Sequence, residues 1–336
     1  MLKEEKFDPT NTVFIEGYLK ENTLKLDDSD PKNKSIKGAL VIATDELNSY
    51  KMQFSVSETK RDGSHSEAYD NLLELFPSKT QSIASFLEVT PKATWEVASN
   101  ASSKIWMVGS MEEYTRMKKG KEAYAVTYKG TRAGFKNATD LRPFDPRANF
   151  EIDVYIQEKE FETDAKGEKT GRLLITGLLG DYRGKMHKIT LVAEKTVAQA
   201  VDQRYQVTQT ARFKGILKNA QVQVAVDDSA SEPDEDSWGS CAEPEYKTVF
   251  IRERVITGGK KAVDQGEKMS YSEEDVKTGL AKREEDIHKN SEERKVKEVG
   301  GPANNKGPKK ATKGAAAAAD AFDDFSNVSV DTEDDF

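Results

Sequence analysis

From Val13 onward, apolar and polar positions alternate with the period of two that marks a half-buried strand. Val13–Leu26 (VFIEGYLKENTLKL) reads as one long strand, broken by the polar turn Asp27–Lys34. Ile36–Ala43 (IKGALVIA) forms a second strand and Tyr50–Val56 (YKMQFSV) a third, with Met52, Phe54 and Val56 on one face. The period then changes. In Ser66–Phe76 the apolar residues Leu72, Leu73, Leu75 and Phe76 fit a helix that Pro77 stops. Strand-like segments resume at Thr94–Ala98, Ile105–Val108 and Tyr124–Tyr128.

The same pattern returns at an offset of 137 residues. Ile15, Glu16, Tyr18 and Leu19 meet Ile152, Asp153, Tyr155 and Ile156, while Met52, Phe54 and Val56 meet Ile189, Leu191 and Ala193. Gly38–Ile42 resembles Gly171–Ile175, and a helical segment (Thr196–Asp202) and a strand (Tyr205–Phe213) follow the third strand of the second copy. Three strands, a helix and more strand is the order of an OB-fold, a small Greek-key barrel. The expected fold is therefore mainly β: two OB-fold-like small barrels in tandem, then a charged helical arm and a disordered acidic tail. The boundaries fall at 1–140 for the first module and 141–226 for the second, with the prolines of Leu141–Pro146 as a stiff joint. An acidic linker (227–245) follows, then a strand (Tyr246–Ile256) plus charged helix within 246–299, and a flexible basic linker with the acidic tail (300–336). Ser272, with Asp275 three residues on, opens the helix as a capping box does. Its apolar positions Val276, Leu280 and Ile287 are too sparse for a coiled-coil seam, which predicts a mostly solvated arm.

Charge refines this division. The formal charge is −8, yet 227–245 carries eight acidic residues and 320–336 seven, with no Lys or Arg in either. The remainder is mildly basic, which is compatible with a nucleic-acid partner. A single cysteine, Cys241, excludes a disulfide framework and a cysteine-based zinc site. With no signal-peptide core and no run of eighteen apolar residues, the expectation is a soluble cytoplasmic protein without a membrane partner.

Catalytic signatures are missing. The histidines His65, His187 and His288 are dispersed, which predicts surface residues rather than metal ligands. Leu179–Met186 (LGDYRGKM) hints at a phosphate loop, but Met186 stands where a hydroxyl is needed, so a Gly-rich hairpin is the better reading. Neither a nucleophile elbow nor HExxH is present, and no cofactor or metal is expected.

The last segment, AAAAADAFDDFSNVSVDTEDDF, is acidic and stops on Phe336. Such a block stays solvated as an interaction tail, able to lie in a basic groove or to present its terminal ring. It resembles the tails of single-stranded DNA-binding proteins of bacteria and their phages, the phage type more closely because Asp335 stands where the bacterial ending has proline. The resemblance implies an OB-fold body that binds the strand. It also implies a tail (Asp323, Asp324, Phe325, Asp331, Glu333, Asp334, Asp335, Phe336) that competes with DNA and recruits replication or recombination enzymes.

Binding single strands without sequence preference calls for Lys and Arg on phosphates and aromatic rings on bases. Candidates in the first module are Tyr18, Lys20, Lys37, Tyr50, Lys51, Trp95, Trp106, Tyr128, Lys129, Arg132 and Lys136. In the second they are Arg172, Tyr182, Arg183, Lys185, Lys188, Arg212 and Lys214, with the hairpin tip Asp181–Lys185 the most attractive. Whether Tyr18 and Tyr155, which share a repeat position, stack or pack stays open. The expected function is sequence-independent binding of single-stranded DNA in replication or recombination, without enzymatic activity. The alternative is a structural or assembly protein of a virion or large complex that docks protein.

Overall fold

The computed structural model describes residues 7–30, 33–118, 121–137, 140–164, 166–181, 183–225 and 246–299. The expected acidic linker, the basic linker, the whole acidic tail and Tyr182 lie outside them.

The protein is mainly β. In the first module β1 (Asn11–Asn22), a short β2 (Lys25–Asp27), β3 (Ser35–Ala43) and β4 (Ser49–Ser57) are followed by helices α1 (Glu67–Glu74), α2 (Ile83–Val89) and α3 (Trp95–Ala101). The hairpin β5 (Lys104–Lys118) and β6 (Lys121–Phe135) completes it. Alternate residues of β1, β3, β4 and β5 (Val13, Ile15, Ile36, Leu40, Met52, Phe54, Ile105, Met107) point inward and are buried. The barrel closes because β1 pairs antiparallel with both β3 and β5, while β4 pairs parallel with β6. That five-strand circuit is the OB topology. A bulge between Leu19 and Glu21 bends β1 from one partner to the other.

The second module repeats the circuit with β7 (Arg147–Thr163), β8 (Lys169–Gly180), β9 (Met186–Ala193), α4 (Ala198–Arg204), β10 (Thr210–Ala225) and β11 (Tyr246–Gly259). Here β7 pairs with β8 and β10, and β9 runs parallel to β11. The fifth strand comes from beyond residue 226: the 246–256 strand returns to this barrel, so the acidic segment joins β10 to β11 instead of separating two units. The repeat extends to backbone conformation, since the aligned Gly38 and Gly171 both have positive φ (138° and 85°), which glycine adopts without a Cβ clash.

The two barrels share one sheet through antiparallel β1–β7 pairing. This ladder maps onto itself under the 137-residue shift: Asn11↔Ile152 becomes Ile15↔Ala148, and Val13↔Phe150 is its own image. A local two-fold axis therefore passes between Val13 and Phe150. The same symmetry holds in the fourth strands, where Val13 pairs with Gly109 and Phe150 with Gly215, each glycine at a bulge.

Three local expectations change. Thr94–Ala98 is helical, because Thr94 is the N-cap of α3, which turns Ala98 and Ser99 inward and leaves Val97 exposed; over five residues that pattern imitates alternation. The Val13–Leu26 strand ends at Asn22, whose side chain takes the Leu24 N–H (3.1 Å) and donates to the Leu75 carbonyl (2.6 Å), breaking the ladder. The third concerns the C-terminal helix α5 (Glu273–Val299). Its capping box forms as expected, with the Asp275 N–H on Ser272 Oγ (3.1 Å) and the Ser272 hydroxyl on Asp275 (2.7 Å). Its first half, however, is docked. Val276 packs with Leu178, Met186 and Tyr271, and a Cβ on Gly279 would sit 2.5 Å from Met186.

Candidate nucleic-acid interface

Each module's β-ribbon crosses onto the other barrel. Beyond Gly109, the β5–β6 ribbon reaches β9: the Glu113 N–H donates to His187 Nδ1 (3.0 Å) and the Lys188 N–H donates to the Glu113 carboxylate. Beyond Gly215, the β10–β11 ribbon reaches β4. There the Asn219 N–H donates to Asn48 Oδ1 (3.1 Å), the Asn219 amide donates to the Ser49 carbonyl, and the Tyr50 hydroxyl donates to the Leu217 carbonyl (2.6 Å). Ligands of OB barrels lie on the strand 2–3 face between the loops that join strands 1–2 and 4–5. Here each such face is bordered by the neighbouring module's ribbon, so the groove is composite.

Period two along β11 puts Phe250, Arg252 and Arg254 on one ribbon face, with the Arg252 guanidinium 5.2 Å from the Phe250 ring centroid. Arg254 Nε donates to the Thr190 carbonyl on β9 (2.7 Å). Tyr128, on β6 beside Met52 of β4, is half-buried and packs against the core; burial pushes its phenol pKa up, and the charges of Arg254 and Arg252 act against that. Lys51 on β4 and Lys188 on β9 are half-buried. Lys51, Tyr128 and Lys188 were legible as candidates in the sequence. Phe250, Arg252 and Arg254 were not singled out, though the alternation in YKTVFIRERVI contains them.

Other candidates are placed elsewhere. Tyr50 is 2% exposed and hydrogen-bonded, so it belongs to the core and cannot stack on a base. Tyr18 packs edge-on against Trp95 (6.1 Å) and Phe144 (5.1 Å) over α2 and α3, and its repeat partner Tyr155 packs under α5 beside Leu178 and Met186. Both tyrosines are covered by helices, which settles their face as packing and places Trp95 with them. Lys20 is half-buried on β1, while Trp106 and the exposed Arg132 lie on the outer side of β5 and β6.

Seven cations already have carboxylate partners: Lys37–Asp27, Lys129–Glu112, Lys136–Asp140, Arg172 with Glu253, Glu162 and Glu194, Lys185–Asp286, Arg212–Asp153 and Lys214–Glu151. Burial opposes the Arg172 charge, but Glu253, Glu162 and Glu194 outweigh it and hold its pKa above the ordinary value. The hydrogen bonds that Arg212 donates to the Asp153 carboxylate are the chief cause that raises its own pKa. These two arginines act first as structural ties.

The Asp181–Lys185 tip is partly occupied by α5, since Lys282 Nζ donates to the Arg183 carbonyl (2.7 Å) and Lys185 pairs with Asp286 (2.8 Å). His187, expected at the surface, is 3% exposed beneath that helix. Burial acts to raise the Asp181 carboxyl, yet His187 and the N–H groups of Lys185 and Arg183 hold it below the usual carboxylate range. Its folded pKa is depressed, so its contribution to stability is present above the unfolded value and fades as pH falls through the folded one. Amide exchange at Arg183 and Lys185 should accelerate only on the acid side of ordinary carboxylate titration; acceleration near neutrality would exclude this anchor.

Among the described residues no group of three or more His, Cys, Asp or Glu side chains is arranged to hold a metal, and no helix is long and apolar enough to cross a membrane.

Comparison with curated proteins finds no match. Among solved structures, the chain is similar to the wild-type single-stranded DNA-binding protein of Thermus aquaticus, with 9% identity, TM-score 0.40, and 77% of this chain and 96% of that one covered. A deletion mutant of the same protein matches with 10% identity, TM-score 0.41, and 77% and 97% covered. Residues 109–293, which run from the first ribbon into α5, match the YorF family, and that span is more than half of the sequence. The chain belongs to the YorF family.

Proposed function

We propose that this protein binds single-stranded DNA without sequence preference, in replication or recombination, and catalyses no reaction of its own. The observation that carries this is the composite groove: two OB barrels fused about a two-fold, with Phe250, Arg252 and Arg254 on one face of the β10–β11 ribbon and the half-buried Tyr128 on β6. Rings for bases and guanidiniums for phosphates are what sequence-tolerant binding needs. The acidic tail (residues 320–336) competes for the groove and recruits partner enzymes, and the setting is the cytoplasm, that of the host if the protein is phage-encoded.

Titration of a fluorescent poly-dT against duplex of equal length tests the proposal. Micromolar or tighter binding to the single strand alone is expected, with log K falling against log salt by about 0.7 per phosphate neutralised. Equal binding to duplex, or none, would falsify it. Removing residues 320–336 should tighten binding several-fold at low salt and make no difference at high salt, because competition by a tethered polyanion is screened. One observation favours the second reading, a protein-docking module of a larger assembly: seven candidate cations are already neutralised within the chain.

A further inference from the structure

The β1–β7 junction creates a second surface away from the groove. Strands β6, β5, β1, β7 and β10 run side by side, and Arg132, Val108, Phe14, Asn149 and Ile216 form one cross-strand row over them. At a strand spacing near 4.8 Å this row spans roughly 19 Å. The next row brings Gly134, Trp106, Glu16 and Arg147 together. The opposite side of the same strands (Val13, Ile15, Met107, Ala148, Phe150) is core, so both rows belong to the outer face.

A cleft of about 380 Å³ opens on this face, lined by Phe14, Arg142, Arg147 and Asn149. Arg147 is set in place: its guanidinium lies 5.2 Å from the Phe14 ring centroid, with Nη1 on Asp145 (2.8 Å) and Nη2 near the buried Glu16 (3.6 Å). Arg142 is exposed and has no carboxylate partner among the described residues. Trp106 lies against β6 over Gly134, where a Cβ would come within 3.0 Å of the indole. The exposed Arg142 guanidinium, a phenyl ring, an indole and an amide make a set suited to a nucleotide, with Arg147 held by Asp145 and Glu16 as the wall of the cleft: phosphate on Arg142, base on the rings, base edge on Asn149.

We infer that this outer face is a second track for single-stranded nucleic acid, anchored at the Phe14–Arg142–Arg147 cleft, which a strand enters after filling the groove. The inference rests on the single-strand reading and extends it from the groove to a second surface. Affinity for long strands then depends on Arg142, whereas short strands are satisfied by the groove.

The test uses the full-length protein. Poly-dT carrying 5-iododeoxyuridine is photo-crosslinked and the adducts are mapped by mass spectrometry, in parallel with affinity measurements on Arg142→Glu. Arg142 rather than Arg147 is changed because Arg147 holds the buried Glu16. Adducts are expected at Phe14 or Trp106 as well as at Tyr128 or Phe250. Arg142→Glu should weaken a strand of about 60 nucleotides roughly fivefold, and one of about 15 less than twofold. Adducts confined to Tyr128 and Phe250, with both affinities unchanged, would overturn the second track and leave the groove standing. No adducts and no binding would remove both. If the substitution instead alters the sedimenting mass of the protein and not its DNA affinity, the face is a contact between copies, and the track is wrong.

Discussion

Replacing Glu113 with Ala is expected to lower the unfolding free energy by about 3–5 kcal/mol, the cost of stranding a buried charge. Glu113 stands on the first module's ribbon, and its side chain is 1% exposed. It receives Arg283 of α5 in a two-pronged pair (Nε to Oε2 at 3.0 Å, Nη2 to Oε1 at 2.7 Å) together with the Lys188 N–H of β9. Three elements from three parts of the chain converge on one carboxylate. Its removal leaves the Arg283 guanidinium, 9% exposed, without its main partner in a dry site. Urea unfolding gives the magnitude, and hydrogen exchange along 273–289 reports whether α5 detaches. The double replacement Glu113→Met with Arg283→Met should recover most of the loss, because well-packed apolar residues often substitute for a buried pair without cost. A loss under 1 kcal/mol for Glu113→Ala alone, with α5 protection intact, would contradict the role given to this contact.

That contact also shows where sequence reading stops. Strands with one core face were legible because alternation is local, so Met52, Phe54 and Val56 and their images Ile189, Leu191 and Ala193 could be placed on one face. The repeat was legible for the same reason, and with it the OB order. Docking of α5 was not: its apolar positions are few, and Val276 and Leu280 are joined in holding the helix by a close approach at Gly279 and by the Glu113–Arg283 pair, partners 170 residues apart. Burial of His187 follows from that docking and was hidden with it. The site was half legible for a related reason. Residue type nominates every Lys, Arg and ring on a strand, but only tertiary pairing separates Arg212, tied to Asp153, and Tyr50, sealed in the core, from the half-buried Tyr128 and from Arg254 on the ribbon face.

Adding a single methyl group at Gly109 or Gly215 is the other change with a large expected effect. The two glycines are images of each other at the bulge of the fourth strand in each barrel. A Cβ on Gly109 would stand 2.2 Å from the Lys129 carbonyl oxygen and 2.8 Å from its carbon, and one on Gly215 would stand 2.0 Å from the Val255 oxygen and 2.5 Å from the Phe150 ring. Most of these neighbours are backbone atoms of the adjacent strand, which no rotamer change relieves. Gly109→Ala and Gly215→Ala should therefore each cost about 3 kcal/mol or more, at or above the upper end for overpacking. Gly258 supplies the control: it lies on β11 with nothing near its missing Cβ, so Gly258→Ala should stay within about 0.5 kcal/mol of the parent. Because the bulges lie where the ribbons leave the barrels, both damaging substitutions should also lower single-strand affinity under conditions in which the protein is still folded. Were Gly109→Ala and Gly215→Ala as stable as Gly258→Ala, the close approach of strands four and five could not be what sets the crossing of the ribbons, and the composite groove would need another origin.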